Sequence, residues 1–275
     1  MTSFERSPAS FYSQELSRKK TWYSAVAAAY DKARPRYPQP LIRQAIALAK
    51  LSLGDCLLEL GCGPGTATTD FAQLGLRLVC LEPSRSTYAL ACQNCQPYPA
   101  VSIINTTFEE WPLPAARFDA VLAANAFHWI SADVRHAKAF DALKPGKSLV
   151  LLWNIAPQLE KRSFQAIAPI LRNYEPGLAE RESIATHLNN MGEFGKAAIG
   201  SGYFHNLQSE WQIWQTAYSV EDYLLLLSTL SPYIALPDEQ RQALFADLKV
   251  ALEAISDRLA ATGLSALQVM QKVSD

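Results

Sequence analysis

The apolar positions of this chain come in short, near-continuous runs separated by helical stretches. Cys56–Leu60, Arg77–Leu81, Val101–Ile104, Phe118–Ala123 and Ser148–Trp153 each read as a strand buried on both faces. Between them the apolar spacing turns helical. Thr66–Leu74 puts Ala67, Phe71 and Leu74 on one face and stops at Gly75. Ser84 is placed to cap a second helix. A third carries Val134, Ala137, Phe140 and Leu143 and ends at Lys144-Pro145-Gly146. Upstream, helices are predicted over 22–34 and over Gln39–Leu51, separated by Pro35 and Pro38. Repeated βα units of this kind predict a parallel sheet covered on both faces, with the loops that follow the strands gathered along one edge.

After Asn154 the rhythm changes. Residues 155–203 look helical and irregular, Gln208–Thr216 looks strand-like, and a long helix is predicted from Pro237. Its stripe is Leu244, Leu248, Leu252, Ile255 and Leu259, with Gly263 beyond it, and Ala266–Val273 reads as a last strand. The expected organisation is a tail and lid helix over 1–36, a Rossmann-like core over 37–154, a helical cap inserted at 155–203, and a C-terminal part over 204–275 that completes the sheet. The first twenty residues are polar and are read as a tail.

Composition narrows the partners. The chain has 275 residues, 49% of them hydrophobic, and a net charge of −1 with no long run of one sign, so nothing in it points to nucleic acid or an anionic membrane. No run approaches the ~20 apolar residues of a membrane span, and the N-terminus lacks the apolar stretch of a signal peptide. Five cysteines, all between Cys56 and Cys95, fit buried thiols in a reducing cytoplasm better than a disulfide framework. Cys92-Gln93-Asn94-Cys95 is a single C-x-x-C without further ligands, so no metal is expected.

The chemistry concentrates in Glu59-Leu60-Gly61-Cys62-Gly63-Pro64-Gly65-Thr66, where a strand must turn directly into a helix. Glycines there permit the backbone angles and let a ligand lie against bare main chain. The spacing is G-x-G-x-G. It is neither the G-x-G-x-x-G of a dinucleotide site nor a phosphate-binding loop with Gly-Lys-Ser/Thr. An adenosine ligand without a diphosphate suits it. About twenty residues on, Glu82 ends the second strand, where a carboxylate accepts from ribose hydroxyls.

These residues resemble the class I S-adenosylmethionine-dependent methyltransferases, in particular the small-molecule group that includes trans-aconitate methyltransferase-like proteins. The carriers are ELGCGPGT (59–66), Glu82, TFEEWPL (107–113), FDAVLAANAFHW (118–129) and LKPGKSLVLLW (143–153), with YDKARPRYP (30–38) upstream. The resemblance spans about 30–154. It implies an α/β, Rossmann-like fold: a seven-stranded, mostly parallel sheet with its last strand antiparallel, helices on both faces and a helical cap. It also implies S-adenosyl-L-methionine as cofactor and S-adenosyl-L-homocysteine as product.

By the same resemblance, Gly61, Gly63 and Gly65 border the methionine and ribose, and Glu59 orients the methionine ammonium. Glu82 takes the ribose, Thr107 and Phe108 meet the adenine, Asn125 passes the methionine end, and Arg34 pairs with the cofactor carboxylate. His128, just past the fourth strand, is the candidate base; Trp22, Tyr23, Tyr30, Trp129 and Trp153 are candidate pocket aromatics. The expected reaction is methyl transfer by in-line displacement to an oxygen, nitrogen or carbon of a small molecule, a carboxylate among the options. The alternatives are a macromolecular or lipid acceptor, including cyclopropane-type chemistry, and a binder without turnover. Oligomeric state is not readable.

Overall fold

A computed structural model of the chain describes residue 21 and residues 23–274; the polar tail and Trp22 lie outside the described residues. Seven strands form one sheet: β1 (Cys56–Leu60), β2 (Arg77–Leu81), β3 (Val101–Ile104), β4 (Phe118–Ala124), β5 (Leu143–Leu159), β6 (Phe204–Tyr218) and β7 (Leu259–Lys272). Their order is β3-β2-β1-β4-β5-β7-β6. β1 through β5 pair in parallel, and β7 runs antiparallel to both β5 and β6. The expected mixed sheet with an antiparallel last strand is what the chain forms. The strand order reverses between β1 and β4, which opens a crevice at their carboxyl ends.

Helices cover both faces because the central strands are apolar on both. α1 (Ala27–Ala33) precedes the sheet. On one face α2 (Gln39–Leu48), α3 (Thr66–Gln73) and α4 (Arg85–Asn94) bury Ile42, Ala45, Phe71 and Ala91 against Leu57, Leu78 and Leu122. On the other, α5 (Ala132–Ala142) brings Ala139 and Ala142 onto Val121 and Leu149. α6 (Lys161–Tyr174) follows β5, and α7 (Ile184–Gly200) brings Met191 and Ala198 onto Leu264, Ala266 and Met270.

A third core forms where β5 and β7 run past the sheet. Leu159, Leu259 and Ala261 meet Ile167 and Leu171 of α6, with Leu226 and Leu227 of α8 (Val220–Ser228). α9 (Ser231–Ile234) adds Tyr233, and α10 (Asp238–Glu253) adds Leu244, Leu248 and Leu252. The segment 155–203 thus supplies the end of β5, a helix of this third core, and a helix lying on the sheet. Leu259 and Gly263 belong to β7 rather than to the end of the long helix, which stops at Glu253. At Gly263 the missing side chain lets the paired Trp214 lie over the strand; an added Cβ would come within 2.3 Å of that ring.

Candidate active site

The turn after β1 is built on left-handed backbone. Gly61, Gly63 and Gly65 have φ of +63°, +59° and +89°. A Cβ on Gly65 would stand 2.9 Å from Cys95 Sγ, whereas one on Gly63 would meet nothing within 4 Å. Gly65 therefore faces α4 as the N-cap residue of α3, and Gly63 presents bare main chain to open space. Gly61, Gly63, Glu82, Thr107, Phe108, Asn125 and Arg34 all line one crevice of about 1310 Å³, counting the space open to solvent at its mouth. Tyr23, Tyr30 and Trp129 line it too. Gly65, Glu59, His128 and Trp153 do not.

Glu82 is the polar centre of the crevice. Gly63 N–H donates to its Oε2 and Ser84 N–H to its Oε1, both at 2.9 Å. The loop beneath it is clamped from the residue after β3, where Asn105 Nδ2 donates to the Glu82 carbonyl at 2.8 Å. Burial raises the carboxyl to about 7, against the pull of those two backbone donors. Each oxygen keeps a lone pair for a further donor.

Glu59 stands elsewhere than expected. It is 1% exposed and sealed under the glycine turn, where Thr68 Oγ1 donates to its Oε2 at 2.6 Å. Burial raises it to about 7 as well, and its Oε1 has no partner. It supports the turn from below instead of meeting a ligand ammonium. The thiols beside it are poor nucleophiles: contact with Cys80 and burial push Cys62 up, and burial pushes Cys80 up.

Two other expected contacts are spent on the protein itself. Thr107 Oγ1 donates to Glu110 Oε2 at 2.9 Å and accepts from Glu110 N–H, so its hydroxyl closes a turn. Phe108 is buried with Lys138 Nζ 5.2 Å from its ring centre, which leaves packing as its contribution. Asn125, at φ +51°, lines the crevice, but its amide is engaged with the Asn154 backbone, donating to the carbonyl at 2.9 Å and accepting from N–H at 2.8 Å.

The roof comes from the N-terminal segment. Arg34 Nε donates to Thr229 Oγ1 at 2.9 Å and Nη2 to the Thr229 carbonyl at 2.7 Å, and the guanidinium lies 4.7 Å from the Tyr30 ring centre. Tyr23 packs edge-on against Tyr30 and Trp129 and bonds Ser231 Oγ at 2.9 Å. Trp153 is a core residue, 4% exposed, whose indole N–H donates to Gln268. It lies behind the crevice wall, not in it. His128 is half-buried on the far side of Trp129, with ring centres 5.2 Å from Trp129 and 5.8 Å from Trp153.

Asn154 is the residue that sequence reasoning missed. Its Nδ2 donates to the Pro35 carbonyl at 2.8 Å, and its Oδ1 accepts from Ser265 Oγ at 2.8 Å. Ser265 accepts in turn from the Trp214 indole N–H at 2.9 Å. Roof, β5 and β7 meet at this one side chain, while Asn125, just past β4, holds the Asn154 backbone. Its only signal in the sequence is a polar residue ending an apolar strand.

The arrangement is that of the class I methyltransferase fold, with the glycine turn and acidic β2 end at the switch point of a sheet whose last strand is antiparallel. Residues 57–146 match the methyltransferase domain family model. An uncharacterized methyltransferase of Mycobacterium tuberculosis is 31% identical over 132 residues, which is 48% of this chain and 51% of the relative, so the chain spans about half the length of the curated relative it matches. A candidate type II methyltransferase from Anaeromyxobacter dehalogenans superposes with a TM-score of 0.64 at 22% identity, covering 88% of this chain and 99% of that one. A Haemonchus contortus phosphoethanolamine N-methyltransferase in complex with S-adenosyl-L-methionine superposes with a TM-score of 0.52 at 14% identity, over 94% of this chain and 59% of its own. The chain therefore has the fold of these methyltransferases, and its residues 57–146 resemble their common domain.

Proposed function

We propose that the protein transfers a methyl group from S-adenosyl-L-methionine to a small-molecule acceptor. One observation carries the cofactor assignment: the Glu82 carboxylate sits on the Gly63 N–H at the mouth of the turn. A diphosphate would need that N–H and would be repelled by the carboxylate, whereas ribose hydroxyls donate to it. The bare face of Gly63 and the packed ring of Phe108 fit the rest of an adenosyl group.

When bound, the cofactor supplies an already electrophilic methyl group. The chain's residues orient and enclose. Glu82 holds the sugar side, Phe108 packs the base side, and Arg34, fixed by Thr229, offers its remaining donors to an anion. Tyr23, Tyr30 and Trp129 form an apolar wall that keeps water from the reacting atoms. A roofed crevice supports a small acceptor over a polymer. Among the described residues, no helix is long and apolar enough to cross a membrane. We place the acceptor on the Trp129 side; His128, packed behind that ring and outside the crevice lining, is not positioned to take its proton.

The test is calorimetry with S-adenosylhomocysteine and with NAD, then methyl transfer to panels of small acids, phenols and amines. Binding of S-adenosylhomocysteine alone and turnover of one panel are expected. Binding of NAD instead would overturn the cofactor reading. Tight S-adenosylhomocysteine binding without transfer to any panel would replace the enzyme by a non-catalytic binder.

A further inference from the structure

The segment between the roof and α2 carries a phenol with nothing to bond. Tyr37 follows Pro35, whose carbonyl Asn154 ties down, and precedes the first turn of α2. Its ring belongs to the core formed with Leu41, Cys62 and Ala67 and is only 5% exposed. Tyr37 nonetheless lines the crevice, together with Gly61, Cys62 and Ala67. Its hydroxyl has no hydrogen-bond partner among the described residues. Tyr23, which also lines the crevice, bonds its own hydroxyl to Ser231. An unpaired hydroxyl at so buried a position is a cost that a polar group of a ligand would remove.

The surroundings select the kind of group. Burial, and after it the neighbouring Tyr30 phenol and Glu59 carboxyl, hold the Tyr37 phenol well above its usual range, so it stays protonated and can donate. The groups that act on it include a cation, Arg34. Arg34 spends Nε and one N–H of Nη2 on Thr229, which leaves Nη1 and the other N–H of Nη2 as an end-on pair of donors. Both side chains line the same crevice. The guanidinium would repel a ligand ammonium, whereas a carboxylate has an oxygen for each residue. We propose that Tyr37 is a further binding residue of the crevice, whose hydroxyl donates to the carboxylate at the methionine end of the cofactor while Arg34 pairs with the same group. The inference rests on the cofactor reading above and deepens it. Glu59 is sealed beneath the glycine turn, so the amino-acid end is recognised through its carboxylate instead of its ammonium. Because Asn154 holds the chain at Pro35, between the two residues, both donors are set before the ligand arrives.

The affinities of the full-length protein for S-adenosylhomocysteine and for its decarboxylated analogue, which keeps the ammonium, would be measured by calorimetry. Wild type is expected to prefer S-adenosylhomocysteine by about tenfold or more. Tyr37→Phe should bind S-adenosylhomocysteine about tenfold more weakly, yet bind the analogue within about twofold of wild type. The ligand-free melting temperature of Tyr37→Phe should equal or exceed that of wild type, because the lost hydroxyl bonds nothing in the free fold. A wild type indifferent to the carboxylate, an unchanged S-adenosylhomocysteine affinity in Tyr37→Phe, an equal loss for both ligands, or a lowered ligand-free melting temperature would each overturn the proposal. Failure of S-adenosylhomocysteine to bind the wild-type protein would instead remove the cofactor reading on which it stands.

Discussion

Replacing Glu82 by Gln tests the centre of the crevice. The carboxylate accepts from two backbone N–H groups at 2.9 Å and, by our reading, from the sugar. An amide presents one acceptor and one donor, so one of those backbone N–H groups would face an NH2. Losing charge-assisted hydrogen bonds at a buried site costs about 1–3 kcal/mol. That corresponds to roughly 5–150-fold weaker S-adenosylhomocysteine binding by calorimetry.

The pH dependence sharpens the test. Glu82 is raised from 4.5 to about 7 in the folded protein, so the fold holds its proton where the unfolded chain has lost it. Its share of the stability is therefore greatest below pH 4.5, declines as pH rises to about 7, and is level above. The decline is at most about 3 kcal/mol. Binding moves the other way, because the ionised form is the better acceptor: at pH 6 only about a tenth of the carboxyls are ionised, predicting affinity about tenfold below the plateau. Glu59 titrates in the same window under the turn, and His136, held at about 4, acts with the opposite sign between 4 and 6.5. The difference between wild type and Glu82→Gln isolates Glu82. A variant that binds S-adenosylhomocysteine as tightly as wild type and keeps the wild-type pH profile would refute the reasoning.

Three further substitutions probe the surroundings. Gly63→Ala should remain folded at a cost of roughly 1–2 kcal/mol for its left-handed backbone, yet lose most cofactor affinity; Gly65→Ala should lose more stability, because its methyl meets Cys95 Sγ. Melting curves with and without S-adenosylhomocysteine separate the two, and equal behaviour would count against the assigned faces. Asn154→Ala leaves the Pro35 carbonyl and the Ser265 hydroxyl short of a partner, an expected loss of about 1–3 kcal/mol by urea denaturation. No loss would show that water replaces the amide freely. His128→Ala should keep S-adenosylhomocysteine affinity within about twofold, since its ring lies outside the crevice wall and an energy below 0.5 kcal/mol is at stake. A tenfold loss measured by calorimetry would put the imidazole in the cofactor site.

Much of the core was legible from apolar runs alone. β1, β2 and β3 have the bounds their sequences suggest, because each is a short run of mostly apolar residues. The same rule fails for β5, whose ends include Lys144-Pro145-Gly146 and Asn154-Ile155-Ala156 and look like loops. It fails for β6 as well, where edge exposure admits Gln, Ser and Glu. The glycine turn and Glu82 were readable because their chemistry is local. Glu59 was misplaced, and the Thr107 hydroxyl, though at the crevice, is already engaged, because their partners Thr68 and Glu110 compete for the same oxygens. Asn154 and Thr229 depend on contacts across 111 and 195 residues of chain, respectively to Ser265 and Arg34, which no local pattern records.

The amide of Asn154 also sets an order of events. Every residue lining the crevice lies at or before position 154, but that amide is anchored by a hydroxyl on β7. As the chain leaves the ribosome, the glycine turn and its acid emerge early and stay uncapped until more than a hundred further residues have been made. Cofactor capture should therefore mark completion of the molecule, not of the domain that carries the motif, and a chain cut before Ser265 should bind it poorly.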